Sequence, residues 1–294
     1  MGLFRAVVLG FVQGVTEFLP ISSSAHLRIV PELLGWPDAG AAYTAMIQLG
    51  TVAAVIVYFW RDLVRLARAF VEGLRRGQPL GTPDARLAWF VIVGTLPVAI
   101  LGLLFKHDIE TSLRSLYVIA VAMIGLALVL LLAERIAAHR RTLSEMTWRD
   151  GIIIGLCQAV ALVPGSSRSG TTLTGGLALG FRREDAARYS FLLSVPATTA
   201  AGLFEMRHLV RSGEPFSGVD VVVGTVVAFL SGILAIAWLL RFLRTRSTLV
   251  FIVYRLLLGG VLLLLLGTGR LAATPTAATT TPARAEWAAG RAGE

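Results

Sequence analysis

Six stretches of this chain are nearly free of charge: 39–60, 87–105, 115–133, 189–204, 221–240 and 247–269, the last interrupted by Arg255. A helix rising about 1.5 Å per residue needs about 20 residues to cross hydrocarbon about 30 Å thick, and these blocks are close to that length. Blocks such as 115–133 and 221–240 are apolar on every face, which suits helices that satisfy their own backbone groups and not the alternating strands of a membrane barrel. The pattern predicts an all-α polytopic membrane protein with about six spanning helices.

Two further apolar segments are interrupted. Residues 6–36 carry Glu17, Pro20, Ser22, Ser23, Ser24 and His26 in mid-segment, and 151–181 carry Pro164, Gly165, Ser166, Ser167, Arg168, Ser169 and Gly170. Proline removes a backbone donor, and the polar backbone that follows cannot all face lipid, so each segment is expected to enter the bilayer, break and turn back as a re-entrant helix pair. The two segments resemble each other. Gly10-Phe-Val-Gln13 matches Gly155-Leu-Cys-Gln158, and Pro20-Ile-Ser22-Ser23 matches Pro164-Gly-Ser166-Ser167, with the offset slipping by one residue between the two matches. A duplication would produce such a pattern. It implies one membrane domain over 1–270, with repeat halves of about 1–133 and 134–270, followed by an Ala/Thr/Pro-rich tail over 271–294 that reads as disordered.

Composition supports this picture: charged residues make up 15% of the chain and hydrophobic ones 55%, with a mean hydropathy of +0.74. A soluble protein carries about 25% charged residues. The net charge of +9 could suggest nucleic acid, but the arginines sit between apolar blocks and not along one face, so anionic lipid headgroups explain them better and no nucleic-acid partner is expected. With the termini outside and both broken segments returning to their own side, the loops 61–86, 134–150, 182–188 and 241–246 lie inside and hold 16 basic residues, against 9 outside. That bias favours this orientation, and it makes the broken segments enter from opposite faces, as in inverted-topology repeats whose tips meet near the midplane. The single cysteine, Cys157, excludes a disulfide framework and reads as a small buried side chain. Gln13, Glu17 and Pro20 interrupt the N-terminal apolar run where a cleaved signal would be continuous, so it is expected to be retained.

Candidate chemistry concentrates at the two breaks. Gln13 and Glu17 are four apart and share a helix face, and three hydroxyls and His26 follow within nine residues of Glu17. A mid-membrane carboxylate is costly and calls for a partner or a function. The second break, 164–172, offers small residues, backbone donors and a guanidinium able to take two phosphate oxygens, with the positive end of a helix restarting near Ser169 behind them. Gln48 is a weaker candidate, divided between site and structure, and Arg255 reads as structural. There is no GxxxxGK[ST], HExxH or GxSxG pattern, so nucleotide-driven pumps, zincins and α/β-hydrolases lack their usual signals.

The run Gln13-Gly-Val-Thr-Glu17-Phe-Leu-Pro-Ile-Ser22-Ser23-Ser24-Ala-His26, together with Pro164-Gly-Ser-Ser-Arg168-Ser-Gly, resembles the paired signature of the undecaprenyl pyrophosphate phosphatase family, also called bacitracin-resistance proteins. Ile47-Gln48-Leu49-Gly50 and Ser190-Phe-Leu-Leu-Ser-Val-Pro196 extend the similarity over most of the first 270 residues. The resemblance implies an integral hydrolase of the bacterial cytoplasmic (inner) membrane that removes the terminal phosphate from the C55 isoprenyl diphosphate carrier of cell-wall synthesis. It implies a divalent cation, Mg²⁺ or Ca²⁺, surrounding membrane lipids, an outward-opening site and a homodimer as one possible assembly.

On that basis Glu17, Ser22, Ser23, His26 and Arg168 are the catalytic candidates, with Glu17 also the metal ligand. Gln13, Ser24, Gly165, Ser166, Ser167, Ser169, Gly170 and Thr171 are the substrate-binding candidates. The nucleophile is Ser22, Ser23 or water, with Ser23 preferred and His26 moving the proton. The alternative is an ion or anion transporter or a lipid flippase, for which broken helices in inverted repeats are also suitable architecture.

Overall fold

The computed structural model describes residues 2–271, apart from 106, 108, 110–112, 114 and 213–217. The expected disordered tail therefore lies, but for Leu271, outside the described residues. In chain order the helices are α1 (Leu3–Phe18), α2 (Ser23–Leu33), α3 (Gly40–Tyr58), α4 (Trp60–Arg75), α5 (Pro83–Leu104), α6 (Leu116–Ile136), α7 (Trp148–Val160), α8 (Arg168–Ala178), α9 (Arg183–Ser212), α10 (Gly218–Leu243) and α11 (Leu249–Gly267). Among the described residues there is no named strand, only an isolated bridge between Arg141 and Phe181. The chain is an all-helical, multi-pass membrane protein.

Each charge-free window of the sequence marks the apolar centre of a helix. Most of these helices run about a turn further, into flanking charge: α5 begins at a Thr82 cap whose side chain accepts from Ala85 N–H, so it includes Asp84 and Arg86. One expectation needs correction. Residues 61–86 do not form a plain loop, because α4 turns away from α3 by 74°. Its Leu66 is buried, with Leu63 and Phe70 packed beside it, while Arg61, Arg68 and Arg75 stay exposed. A search for uncharged windows does not see such an amphipathic helix, whose apolar residues recur at helical spacing between arginines.

Among the described residues four helices, α5, α6, α10 and α11, are by length and composition able to cross a membrane, or five if the bent α3–α4 pair is one span. The sixth expected span, 189–204, lies inside α9, which has charged ends and Pro196 within it. This helix packs against α3, α5 and α8, and Tyr189, Phe191, Leu192 and Leu193 are fully buried. A helix covered by other helices needs less apolar surface than one facing lipid.

Both breaks are present where expected, between α1 and α2 and between α7 and α8. The helices around them exchange partners: α1 packs on α10, and α7 packs on α5. Both crossings are backbone to backbone. A Cβ at Gly10 would collide with the Gly224 carbonyl, and one at Gly155 would lie 2.5 Å from the Gly94 carbonyl. Gly10 and Gly155 are 145 residues apart and Gly94 and Gly224 are 130 apart. The difference of 15 is close to the 16 residues of α4, which occurs only in the first half.

Candidate active site

The first residue of α2 is Ser23 and the first of α8 is Arg168. Each follows a serine N-cap in the left-handed region, Ser22 with φ of 76° and Ser167 with φ of 68°. Non-glycine residues adopt that conformation only where surrounding structure enforces it, often at functional sites. Ser22 Oγ accepts from Ala25 N–H and Ser167 Oγ from Gly170 N–H. Beside each cap stands a second serine, with Ser22 and Ser24 hydroxyls 3.1 Å apart and Ser167 and Ser169 hydroxyls 3.2 Å apart. The two breaks are thus twins at a constant offset of 145, and the one-residue slip in the sequence alignment is corrected: Ser22 pairs with Ser167, and Ser23 with Arg168.

The twins also brace each other. Gly165 N–H donates to Ser24 Oγ at 3.3 Å, and Ser169 Oγ donates to the Leu19 carbonyl at 2.9 Å. Backbone groups left over by one broken helix are satisfied by the other break.

Between the tips lies a cavity of about 220 Å³. Its wall includes Gln13, Glu17, Ser22, Ser23, Ser24, Ser167 and Arg168. Glu17 is the hub. Its Oε2 accepts from the Ser23 hydroxyl at 2.6 Å and from Gln13 Nε2 at 3.3 Å, and its Oε1 accepts from Arg168 Nη2 at 3.2 Å. Arg168 Nη1 donates to the Ser190 carbonyl at 3.3 Å, and Arg168 Nε is buried with no partner among the described residues. A carboxylate, a hydroxyl and a guanidinium from chain positions 151 residues apart therefore meet at the starts of two helices, whose N-terminal N–H groups favour anions.

His26, Gly165, Ser166, Ser169, Gly170 and Thr171 lie outside this wall. One ring nitrogen of His26, Nδ1, is 2.7 Å from the Ser22 carbonyl, and the other, Nε2, is 2.6 Å from the Tyr254 hydroxyl. Both ring nitrogens are thus engaged, and the side chain touching the Ser23 hydroxyl is Glu17. Thr171 returns its hydroxyl to the Arg168 carbonyl.

Gly165 and Ser166 serve as acceptors for Arg255, which is 0% exposed. Its guanidinium donates to the carbonyls of Gly165, Ser166, Ala122 and Met123, so its structural role is to hold the second break in shape. Cys157 is half-buried, less enclosed than expected.

Sequence reasoning left Gln48 undecided, and it lines the cavity. It missed Thr44, Gln158 and Thr198 on the wall, and Tyr254 behind His26. The signal for Gln158 was present in its match to Gln13. Thr44 and Thr198 carry none, because a lone threonine in an apolar helix usually bonds its own backbone, as Thr44 and Thr198 both do.

Among the described residues no cluster of three or more His, Cys, Asp or Glu could cage a metal ion. One carboxylate does suit a hard cation that takes its other ligands from phosphate oxygens and water. Glu17 would hold it, aided by Gln13, whose Nε2 is directed at Glu17 and whose carbonyl oxygen remains as a ligand.

The fold defines a multi-pass membrane protein, and its cavity joins a carboxylate, a hydroxyl and a guanidinium. The chain belongs to the family described as Bacitracin resistance protein BacA, which matches residues 6–261. It is 65% identical to the undecaprenyl-diphosphatase of Myxococcus xanthus (strain DK1622) over 92% of this chain and 91% of the relative. It is 53% identical to the undecaprenyl-diphosphatase of Chlorobaculum tepidum over 92% and 99%, and 52% identical to that of Chlorobium limicola over 93% and 100%.

Proposed function

We propose that this chain hydrolyses undecaprenyl diphosphate to undecaprenyl phosphate and inorganic phosphate, returning the lipid carrier of cell-wall synthesis to use and conferring bacitracin resistance. The observation that carries the chemistry is the meeting of Ser23, Glu17 and Arg168 in one cavity, at 2.6 and 3.2 Å from the central carboxylate. Ser23 is the nucleophile. Ser22 is committed to capping α2, whereas the Ser23 hydroxyl already points its proton at Glu17.

In the reaction the Ser23 oxygen bonds to the terminal phosphorus and its proton passes to Glu17 Oε2. The bond from that phosphorus to the bridging oxygen breaks, and undecaprenyl phosphate departs with that oxygen. Water then bonds to the phosphoserine phosphorus as the bond to Ser23 Oγ breaks; Glu17 returns its proton to Ser23, and inorganic phosphate leaves with the water oxygen and its protons. Arg168 and the N–H groups at the start of α8 hold the phosphoryl oxygens as charge redistributes. Glu17, with Gln13 beside it, would hold a divalent cation, Mg²⁺ or Ca²⁺, which would neutralise diphosphate charge when bound.

The reading places the protein in the bacterial cytoplasmic membrane as one unit over 1–270 built from two inverted halves, with the cavity opening outward. A homodimer is the assembly to test by mass measurement in detergent. Purified protein in detergent should release phosphate from undecaprenyl diphosphate, and a chelator should abolish that release. No release in the presence of Mg²⁺ or Ca²⁺ would refute the hydrolase and leave the transporter or flippase, which works only across a sealed membrane.

A further inference from the structure

One polar side chain on the cavity wall is explained by no contact. Gln158 stands near the end of α7 and is 0% exposed. It lines the same cavity as Glu17 and Arg168. Neither its Oε1 nor its Nε2 has a hydrogen-bond partner among the described residues. A buried carboxamide unbonded at both ends destabilises a fold, whereas an apolar side chain of the same size would not.

The repeat shows how the orphan arises. Its twin Gln13, 145 residues earlier, donates to Glu17 one turn further on. At the same offset from Glu17 stands Leu162. The second half therefore keeps the amide and lacks the acceptor that satisfies it in the first. The acceptor must come from elsewhere, and what the cavity is built to receive is an anion beside Arg168.

We infer that Gln158 is a substrate-recognition residue, whose Nε2 donates to an oxygen of the diphosphate held by Arg168 and the start of α8. A change of side-chain rotamer brings the amide from the wall to the ligand. Gln158 is then a specificity device in the usual sense. A site containing a buried donor accepts a ligand that satisfies it and rejects one that does not. This inference rests on the hydrolase reading above.

The test exploits the conflict between stability and binding. Replacing the amide by an apolar isostere, Gln158→Leu, removes an unsatisfied group, so the thermal midpoint in detergent should be equal to or above that of the wild type. Phosphate release from undecaprenyl diphosphate should nevertheless show KM raised about tenfold with kcat within about twofold, the effect of losing one hydrogen bond to a charged ligand. Inhibition by inorganic pyrophosphate should weaken by a similar factor.

Gln158→Met keeps the length and flexibility of glutamine and serves if the branched leucine does not fold. Wild-type KM and wild-type pyrophosphate inhibition in either folded variant would overturn the inference and make the orphan amide a tolerated defect. The wild-type protein assayed alongside separates the two claims: if it releases no phosphate, the hydrolase reading itself fails and this inference falls with it.

Discussion

Replacing Arg168 by lysine keeps a positive charge at the start of α8 and removes the planar fork that carries it. In the structure two nitrogens of the fork are engaged and the third is idle. Nη2 pairs with Glu17 at 3.2 Å, Nη1 reaches the Ser190 carbonyl at 3.3 Å, and Nε has no partner. The side chains of the ion pair are only 12% and 8% exposed, so an uncharged replacement would strand Glu17, at a cost of about 3–5 kcal/mol for breaking a buried pair. Lysine avoids that complication. Its compact ammonium can satisfy Glu17 but cannot also grip two phosphoryl oxygens. The loss of one charge-assisted hydrogen bond is worth about 1.5–3 kcal/mol, or about 10- to 100-fold in kcat/KM. If the grip tightens as charge moves to the bridging oxygen, the loss should fall on kcat with KM little changed. The assay is steady-state phosphate release from undecaprenyl diphosphate in detergent at saturating Mg²⁺. A kcat/KM within twofold of wild type would refute bidentate phosphate binding and return 164–170 to a purely structural turn.

Three other outcomes follow from the same geometry. Glu17→Gln removes the acceptor of the Ser23 proton and the charge for a cation, so turnover should fall by about 10²-fold or more while the protein stays membrane-inserted; near-normal activity at saturating metal would contradict the role. Gly155→Leu places a side chain where even a Cβ would be 2.5 Å from the Gly94 carbonyl, and opening the α5–α7 crossing should destabilise by about 1–3 kcal/mol or more, read as a lower midpoint of helix loss on heating; an unchanged midpoint argues against that crossing. Single cysteines at Arg76 and Ser144 in a Cys157→Ala background should resist an impermeant thiol reagent in intact cells, and labelling of both from outside would reverse the orientation inferred from the arginines.

The helices were legible in the sequence because hydrocarbon imposes a length and an absence of charge, and both are visible residue by residue. Residues 60–75 were not, since a helix packed on one side and charged on the other contains no uncharged window. Glu17, Ser23 and Arg168 stood out because charges and clustered hydroxyls are rare inside apolar segments. For His26 the residue type suggests proton transfer, while the neighbours of its two nitrogens are not legible in sequence, since Tyr254 lies 228 residues away. Gln158 is the converse case. Its meaning comes from a partner it lacks, which only the packed structure can show.

The two breaks share a strained serine cap, a bracing serine two residues on and a glutamine nine residues before the cap. They differ where the chemistry is: Glu17 against Leu162, and Ser23 against Arg168. Had both halves kept the carboxylate, two like charges would face a diphosphate within a cavity of about 220 Å³, opposing the anion that the helix starts attract. Had both kept the arginine, there would be no Ser23 hydroxyl beside Glu17 to attack. With one of each, Glu17 and Arg168 offset each other at 3.2 Å, which lowers the cost of holding either charge at membrane depth before substrate arrives. The incoming phosphate can then compete for Arg168 and leave Glu17 free to accept the Ser23 proton. The duplicated fold supplies two anion-friendly helix starts, and in the mechanism proposed above the loss of symmetry at these two pairs of positions is what lets them break a diphosphate.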